Sequence, residues 1–567
     1  MKVILIILIY ILIILIITKI YFNQIDYFTT KYGYECKDCE LCDDDQYYTG
    51  SCGGLINNKQ CHDCDDCGED LYKIGCYGTE VGTCVANWGV SSCGNNEYGQ
   101  LGFDSNGKDE NTDGLRFDYR KKPYHILPVL IENNIFDNIK IIKISCDNHS
   151  LFLTREGHVY SSGYNKYGQL GLGDTTNIIT PRLIETYYNS NLEEINYDRI
   201  TISEISAGLN HSLFLTSLTS GGNVYSCGYN VDGHLGIGTN GQGNDKYIPT
   251  LIQSYYDTTL DITHNYDEII ITKISASCTH SLFLTNNKHV YSCGNNDKGQ
   301  LGLGSTDSQN IPQLIKTFGD TLYNEIQIDK ISSKCHFSLF LTSEGHVYSC
   351  GWHNRGQLGL GEDTEEKVKT PTLIQRYYDD AVQINYDRIT ITEISSGYYH
   401  SLFLTSQGYV YSCGWNTKGE NGFEVESAQK VWVPKLIKTF EDTAYDEIQI
   451  KKISAGAFFS LFLTQTGSVY SCGSNAYGKL CLNSNDDKKM TPKLIEKSNN
   501  VRITEISSGV DHSLFLLSYG NFDIVEEEEE VEREELEEEQ EEAPSVPEPE
   551  SETILPPPKK KIAKKKK

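Results

Sequence analysis

Five histidines hold the same place in a recurring segment of this chain. His149, His211, His280, His400 and His512 each immediately precede Ser-Leu-Phe-Leu. Five imidazoles brought to a common axis would offer neutral nitrogen ligands to a metal. Phe337 and Phe459 fill the same place in two further copies. The slot therefore reads as a packing position in which an imidazole can also hydrogen-bond the backbone. No metal or other cofactor is expected there. A second set is cysteine: Cys36, Cys39, Cys42, Cys52, Cys61, Cys64, Cys67, Cys76 and Cys84. The pattern Cys-x2-Cys-x2-Cys at Cys36 recurs at Cys61. So short a segment buries too little apolar surface to fold on its core, so disulfides within it are expected. The alternative is zinc on the Cys39/Cys42 and Cys61/Cys64 pairs, which have ribbon-like spacing. Nine cysteines is an odd number, so one is free or pairs elsewhere. Ser-His-Asp patterns, phosphate-binding loops and His-Glu-x-x-His are all lacking, and no catalysis is expected.

The histidine segment is one of four that repeat together. Val-x-Ser-Cys/Ser-Gly ends at Gly94, Gly163, Gly228, Gly294, Gly351, Gly414 and Gly473. A Pro-x-Leu-Ile segment follows, then an Ile-Ser pair (Ile144 to Ile506), then Ser-Leu-Phe-Leu. Each is a short apolar or alternating run flanked by Gly, Asn or Asp, which predicts a strand. Four strands repeated seven times predict an all-β, seven-bladed β-propeller. The first copy is entered on Val90 to Gly94, and the last ends after His512 to Leu517 with no eighth Val-Tyr-Ser-Cys-Gly. The N- and C-terminal strands are thus expected to share one blade and close the ring. Cys93, Cys227, Cys293, Cys350, Cys413 and Cys472 share one repeat position and are expected as small buried side chains, too far apart to bridge one another.

Gly163-Tyr-Asn165-Lys-Tyr-Gly168-Gln169-Leu170-Gly171 resembles the repeat of the regulator of chromosome condensation family, as do the copies at Gly294 and Gly351. The resemblance covers residues 86–520. It implies the propeller fold and raises one activity, guanine-nucleotide exchange on a small Ran-type GTPase. In members with that activity, it implies acids two places before the repeat histidine and a wedge-like insertion in one blade. Only Asp147 meets the first condition, and Asp511 is one position off. The other copies have Leu209, Cys278, Cys335, Tyr398, Ala457 and Val510. No hairpin is lengthened like a wedge. Asp147 is thus the one weak exchange-site candidate and Asp511 an acid near the axis. The cysteine-rich segment resembles the repeats of tumour-necrosis-factor-receptor-type ectodomains.

The two ends suggest the setting. Residues 3–17 are unbroken apolar and Ile20-Tyr21-Phe22 extend them, with no small-x-small cleavage signal beyond. That predicts an uncleaved signal anchor over residues 1–22, a transmembrane helix crossing once through residues 3–22. A linker (23–35), the cysteine-rich repeats (36–85), the propeller (86–520) and a disordered acidic, then proline- and lysine-rich tail (521–567) follow. A net charge of −29 makes nucleic acid an unlikely partner, because phosphate binding needs clustered Lys and Arg. Protein partners on the loop faces are expected instead. The cysteine repeat favours an exoplasmic or lumenal propeller. The lysine-rich end suits the alternative, a cytosolic or nuclear-facing one, where a small GTPase becomes a possible partner.

Overall fold

The computed structural model describes residues 71–74, 83–86 and 88–519, apart from 104–114, 118–122, 132–138, 258, 380–381, 425–429, 442, 485 and 497–500. The expected anchor, most of the cysteine-rich segment and the tail lie outside these residues. Within the cysteine-rich span, Leu71–Ile74 and Thr83–Ala86 pair as an antiparallel hairpin. Among the described residues no helix is long and apolar enough to cross a membrane.

Seven sheets, each built on four antiparallel strands, make the blades. The seven innermost strands are Ile141–Cys146, Ile202–Ala207, Ile271–Ala276, Ile328–Lys334, Ile391–Ser396, Ile450–Ala455 and Val501–Ser508, numbered here as blades 1 to 7. Each meets its two neighbours, so the inner strands form a closed circle. The Ser-Leu-Phe-Leu segment is the second strand, and all six of its residues are buried in each of blades 1 to 6. Burial on both faces explains why this segment reads as a continuous apolar run rather than an alternating one.

Closure is as expected from the cut ends. Blade 7 takes its inner strands, Val501–Ser508 and His512–Tyr519, from the C-terminal side. Trp88–Asn95 and Pro123–Leu130 complete it from the N-terminal side. Gly94 stands opposite His512 and Trp88 opposite Ser518. The repeat glycine that ends each third strand has a left-handed backbone. At Gly228 φ is +111°, and an added Cβ would lie 2.4 Å from the Asn210 carbonyl oxygen. Only glycine fits there.

The Ile-Ser pair holds the blades to one another. Its serine hydroxyl accepts the amide of the next blade's inner strand: Ser145 from Ala207 and Ser206 from Ala276, both at 2.9 Å, on round to Ser507 from Cys146 at 3.0 Å. A second circle uses the repeat histidines. His149 Nε2 meets Ser212 Oγ of the next blade at 2.6 Å, His400 meets Ser460 at 2.9 Å, and His512 meets Ser150 at 2.9 Å. Those serines donate their one proton to a carbonyl of the preceding hairpin, as Ser212 does to Gln169 at 2.7 Å. The imidazole Nε2 must then be the donor, which fixes the neutral Nε2–H tautomer. So the slot is structural, as the phenylalanines indicate, but its bond runs to a side chain of the next blade and not to the backbone.

Two features were not expected. A short hairpin caps the outer edge of several blades, for example Thr186–Tyr188 with Glu194–Asn196, so some sheets have six strands. Cys93 also departs from the packing role expected of it, for it is bridged to Cys481, with Cα atoms 5.8 Å apart. Its five equivalents, Cys227, Cys293, Cys350, Cys413 and Cys472, are buried free thiols as expected. Cys481 sits where the other copies have the glycine of Gln-Leu-Gly, and that substitution brings a second sulfur to Cys93.

Candidate functional site at the axial mouth

The second strand begins beside the end of the third, as His211 opposite Gly228 shows. The turn after each inner strand and the Gly-x-Asn hairpin therefore share one face of the ring. The third residue after the repeat isoleucine is small in five blades: Gly208, Ser277, Gly397, Gly456 and Gly509. In blades 1 and 4 it is Asp147 and Lys334. Backbone bonds establish the equivalence. The Asp147 amide donates to the His149 carbonyl as Gly208 does to His211, and the Asp147 carbonyl accepts Val510 N–H as Ser277 accepts Leu209. Blade 1 has one residue fewer in this turn. That deletion places an acid two residues before the histidine while seating it in the glycine slot.

Asp147 and Lys334 therefore meet across the axis. Lys334 Nζ lies 2.7 Å from an Asp147 carboxylate oxygen, with the two side chains 8% and 0% exposed. Burial raises the Asp147 carboxyl above the usual range, while the Lys334 ammonium holds it down. Asp511, the other expected acid, lies at the same mouth and is paired with Lys479 at 3.0 Å. Lys479 Nζ also donates to the carbonyls of Ala457 at 3.1 Å and Val510 at 3.0 Å. Beside Lys334, Cys335 is bridged to Cys278 of blade 3, with Cα atoms 4.3 Å apart. The structure thus brings both sequence-identified acids to one place and gives each a lysine.

Both lysines and both bridges were missed from sequence. The signal was there: after Ile-Ser-x, the small-residue slot is broken twice, by opposite charges. Of the nine candidate cysteines only Cys84 lies among the described residues, on the Thr83–Ala86 strand, and the bonding expected of the nine is a matter for experiment. Burial drives the repeat imidazoles down to about 3 at His149, His280, His400 and His512. They are neutral and enclosed. Among the described residues no group of three His, Cys, Asp or Glu side chains could hold a metal.

Around this plugged axis the hairpins present aromatic side chains. Tyr98 and Tyr164 have ring centroids 4.9 Å apart, and Tyr167 and Tyr229 4.6 Å, from successive blades. On the far side Trp352, Tyr399 and Phe458 form a chain at 6.2 and 5.5 Å, and Arg355 stacks over Trp415 at 4.0 Å. All of these rings are partly exposed. Half-exposed aromatic and Arg groups are the side chains that carry most binding energy at protein interfaces.

A seven-bladed propeller closed by shared end strands, with partly exposed aromatic side chains around one axial mouth, is the class this geometry defines. Residues 73–386 match the family model of the RCC1-like domain, and the regulator of chromosome condensation (RCC1) repeat matches residues 391–420, 450–479, 407–463 and 466–516. The chain belongs to the RCC1-like propeller family. It is similar to the Arabidopsis thaliana ultraviolet-B receptor UVR8, 26% identical over 366 residues that make up 64% of this chain and 71% of that protein. It is also similar to a bifunctional serine/threonine-protein kinase/NEDD4-like E3 ubiquitin-protein ligase of Dictyostelium discoideum, 28% identical over 64% of this chain. The match spans only 20% of the length of that larger protein. Among solved structures, human WBSCR16 superposes with a TM-score of 0.59 at 20% identity, covering 77% of this chain and all of that one. Yeast RCC1 (Prp20) bound to Kap60 gives 0.60 at 20%, covering 78% and 91%. These two likenesses concern the fold.

Proposed function

We propose that the chain is a membrane-anchored, non-enzymatic propeller whose hairpin face docks protein partners. One observation carries the reading: the single acid in the exchange position, Asp147, is enclosed and neutralised by Lys334. A charge meant to compete for a GTPase's cationic and metal contacts must reach them, and this one is spent inside the ring. The aromatic rim around it is reachable. The apolar run of residues 3–22 supports anchoring. The bridges Cys93–Cys481 and Cys278–Cys335 favour the oxidising, exoplasmic side.

The second reading is guanine-nucleotide exchange on a Ran-type GTPase. It draws on the fold likeness to yeast Prp20, whose structure is described together with its binding to Gsp1p and histones. Nucleotide release from a Ran-type GTPase separates the two. The docking reading expects no acceleration by the purified protein. A strong acceleration abolished by Asp147→Ala would replace it with exchange. Protease protection of the propeller in intact membranes tests the topology, and digestion there would move it to the cytosolic side.

A further inference from the structure

Two residues before each ring serine, the inner strands carry Lys143, Glu204, Lys273, Lys330, Glu393, Lys452 and Glu505 in blade order. Alternate residues of a strand share a face, so these seven line the axial channel one pleat beyond the serines. Neighbours of opposite sign engage. Lys143 Nζ lies 3.1 Å from Glu204, and Lys452 pairs with Glu505. Glu393 lies in the field of both Lys330 and Lys452. A ring with an odd number of members cannot alternate in sign all the way round. At least one junction must join like charges, and here it is Lys273 beside Lys330.

That junction is only partly relieved. Lys273 Nζ donates to the Asp329 carbonyl at 2.9 Å, and the Asp329 carboxylate is taken by Lys288 at 2.8 Å. The Asp329 carboxylate thus lies in the field of three ammonium groups, those of Lys273, Lys288 and Lys330. Among the described residues the Lys330 ammonium makes no hydrogen bond or close ion pair. An ammonium has three protons to donate, so Lys273 has two left and Lys330 all three. We propose that the Lys273–Lys330 junction is an anion site in the axial channel for a small divalent oxyanion of the phosphate class. Such an ion supplies the negative charge that a seven-membered ring lacks at this point, with two unspent ammonium groups as its ligands.

The test uses inorganic phosphate and the full chain. Thermal unfolding is followed in millimolar phosphate against chloride of matched ionic strength. Phosphate is expected to raise the unfolding temperature in a saturable way. Lys273→Glu moves the like-charged junction to Glu204 and position 273 and reverses its sign. That variant should lose the phosphate response and gain one to calcium or magnesium that the parent lacks. Lys330→Gln, which leaves the other six ring members in place, should weaken apparent phosphate affinity roughly tenfold and decides the matter if Lys273→Glu does not fold. No saturable shift in the parent, or an equal shift in parent and Lys330→Gln, overturns the proposal.

Discussion

Replacing His400 by phenylalanine should make the propeller less sensitive to acid by one proton. The choice comes from the protein, since Phe337 and Phe459 already fill the equivalent slot in blades 4 and 6. His400 is fully buried, and desolvation lowers its imidazole to about 3 from an ordinary value near 6.5. Between those values the unfolded chain binds a proton at this site and the folded chain does not. Stability from this site is therefore present above pH 6.5 and lost as pH falls toward 3. One unit below the unfolded value, at pH 5.5, the loss is about 1.4 kcal/mol. The substitution removes it. At neutral pH the cost is one hydrogen bond to Ser460, about 1 kcal/mol, partly offset by the apolar ring. Ser460 is not orphaned, because its hydroxyl still donates to the Glu420 carbonyl at 2.7 Å. Ser401, which faces Phe337's blade, does the same to Gln357 at 2.6 Å. Glu420 titrates the other way, its carboxyl raised by burial to about 7, but parent and variant share it and it cancels in the difference. Urea unfolding of both proteins at pH 7.5 and 5.5 reads the effect. The gap between them should move in the variant's favour by about 1.4 kcal/mol at the lower pH. An unchanged gap would mean that the fold does not lower the His400 imidazole, which would refute its assignment as a neutral Nε2–H donor to Ser460.

Three further outcomes follow from the packing. A chain lacking residues 1–94 loses the third strand of blade 7 and should melt cooperatively at a lower temperature, whereas one lacking 1–85 should melt like the parent in calorimetry. Lys334→Met strands the Asp147 carboxyl in the plugged axis and should cost about 3–5 kcal/mol in chemical denaturation. The double change Lys334→Met with Asp147→Leu should cost clearly less, because it leaves no unpaired charge. Gly228→Ala forces a Cβ to 2.4 Å from a carbonyl at positive φ and should destabilise by about 2–4 kcal/mol, read by the same denaturation.

Blade number, strand order and the shared closing blade were all legible, because each blade repeats the same burial problem and so the same apolar pattern. The histidine slot was legible for a related reason, since a residue type that alternates with phenylalanine betrays its surroundings. The axial mouth was not. Asp147 reads as an acid beside a histidine, but its partner Lys334 lies three blades and 187 positions away, taking the difference of the two numbers. Linear spacing carries no sign of such a meeting until the blades are stacked and equivalent positions compared across the ring. The same comparison pairs Cys481 with Cys93 and finds Lys273 beside Lys330. In a closed propeller the neighbours that matter for charge are read around the circle. The departures from the repeat, rather than the repeat, give this chain's axis its particular charges. Five blades put glycine or serine at the axis because space there is scarce, and the two that do not have placed opposite charges. The protein has closed its axis at the hairpin face with the Asp147–Lys334 pair, and at the ring of seven it has set Lys273 beside Lys330.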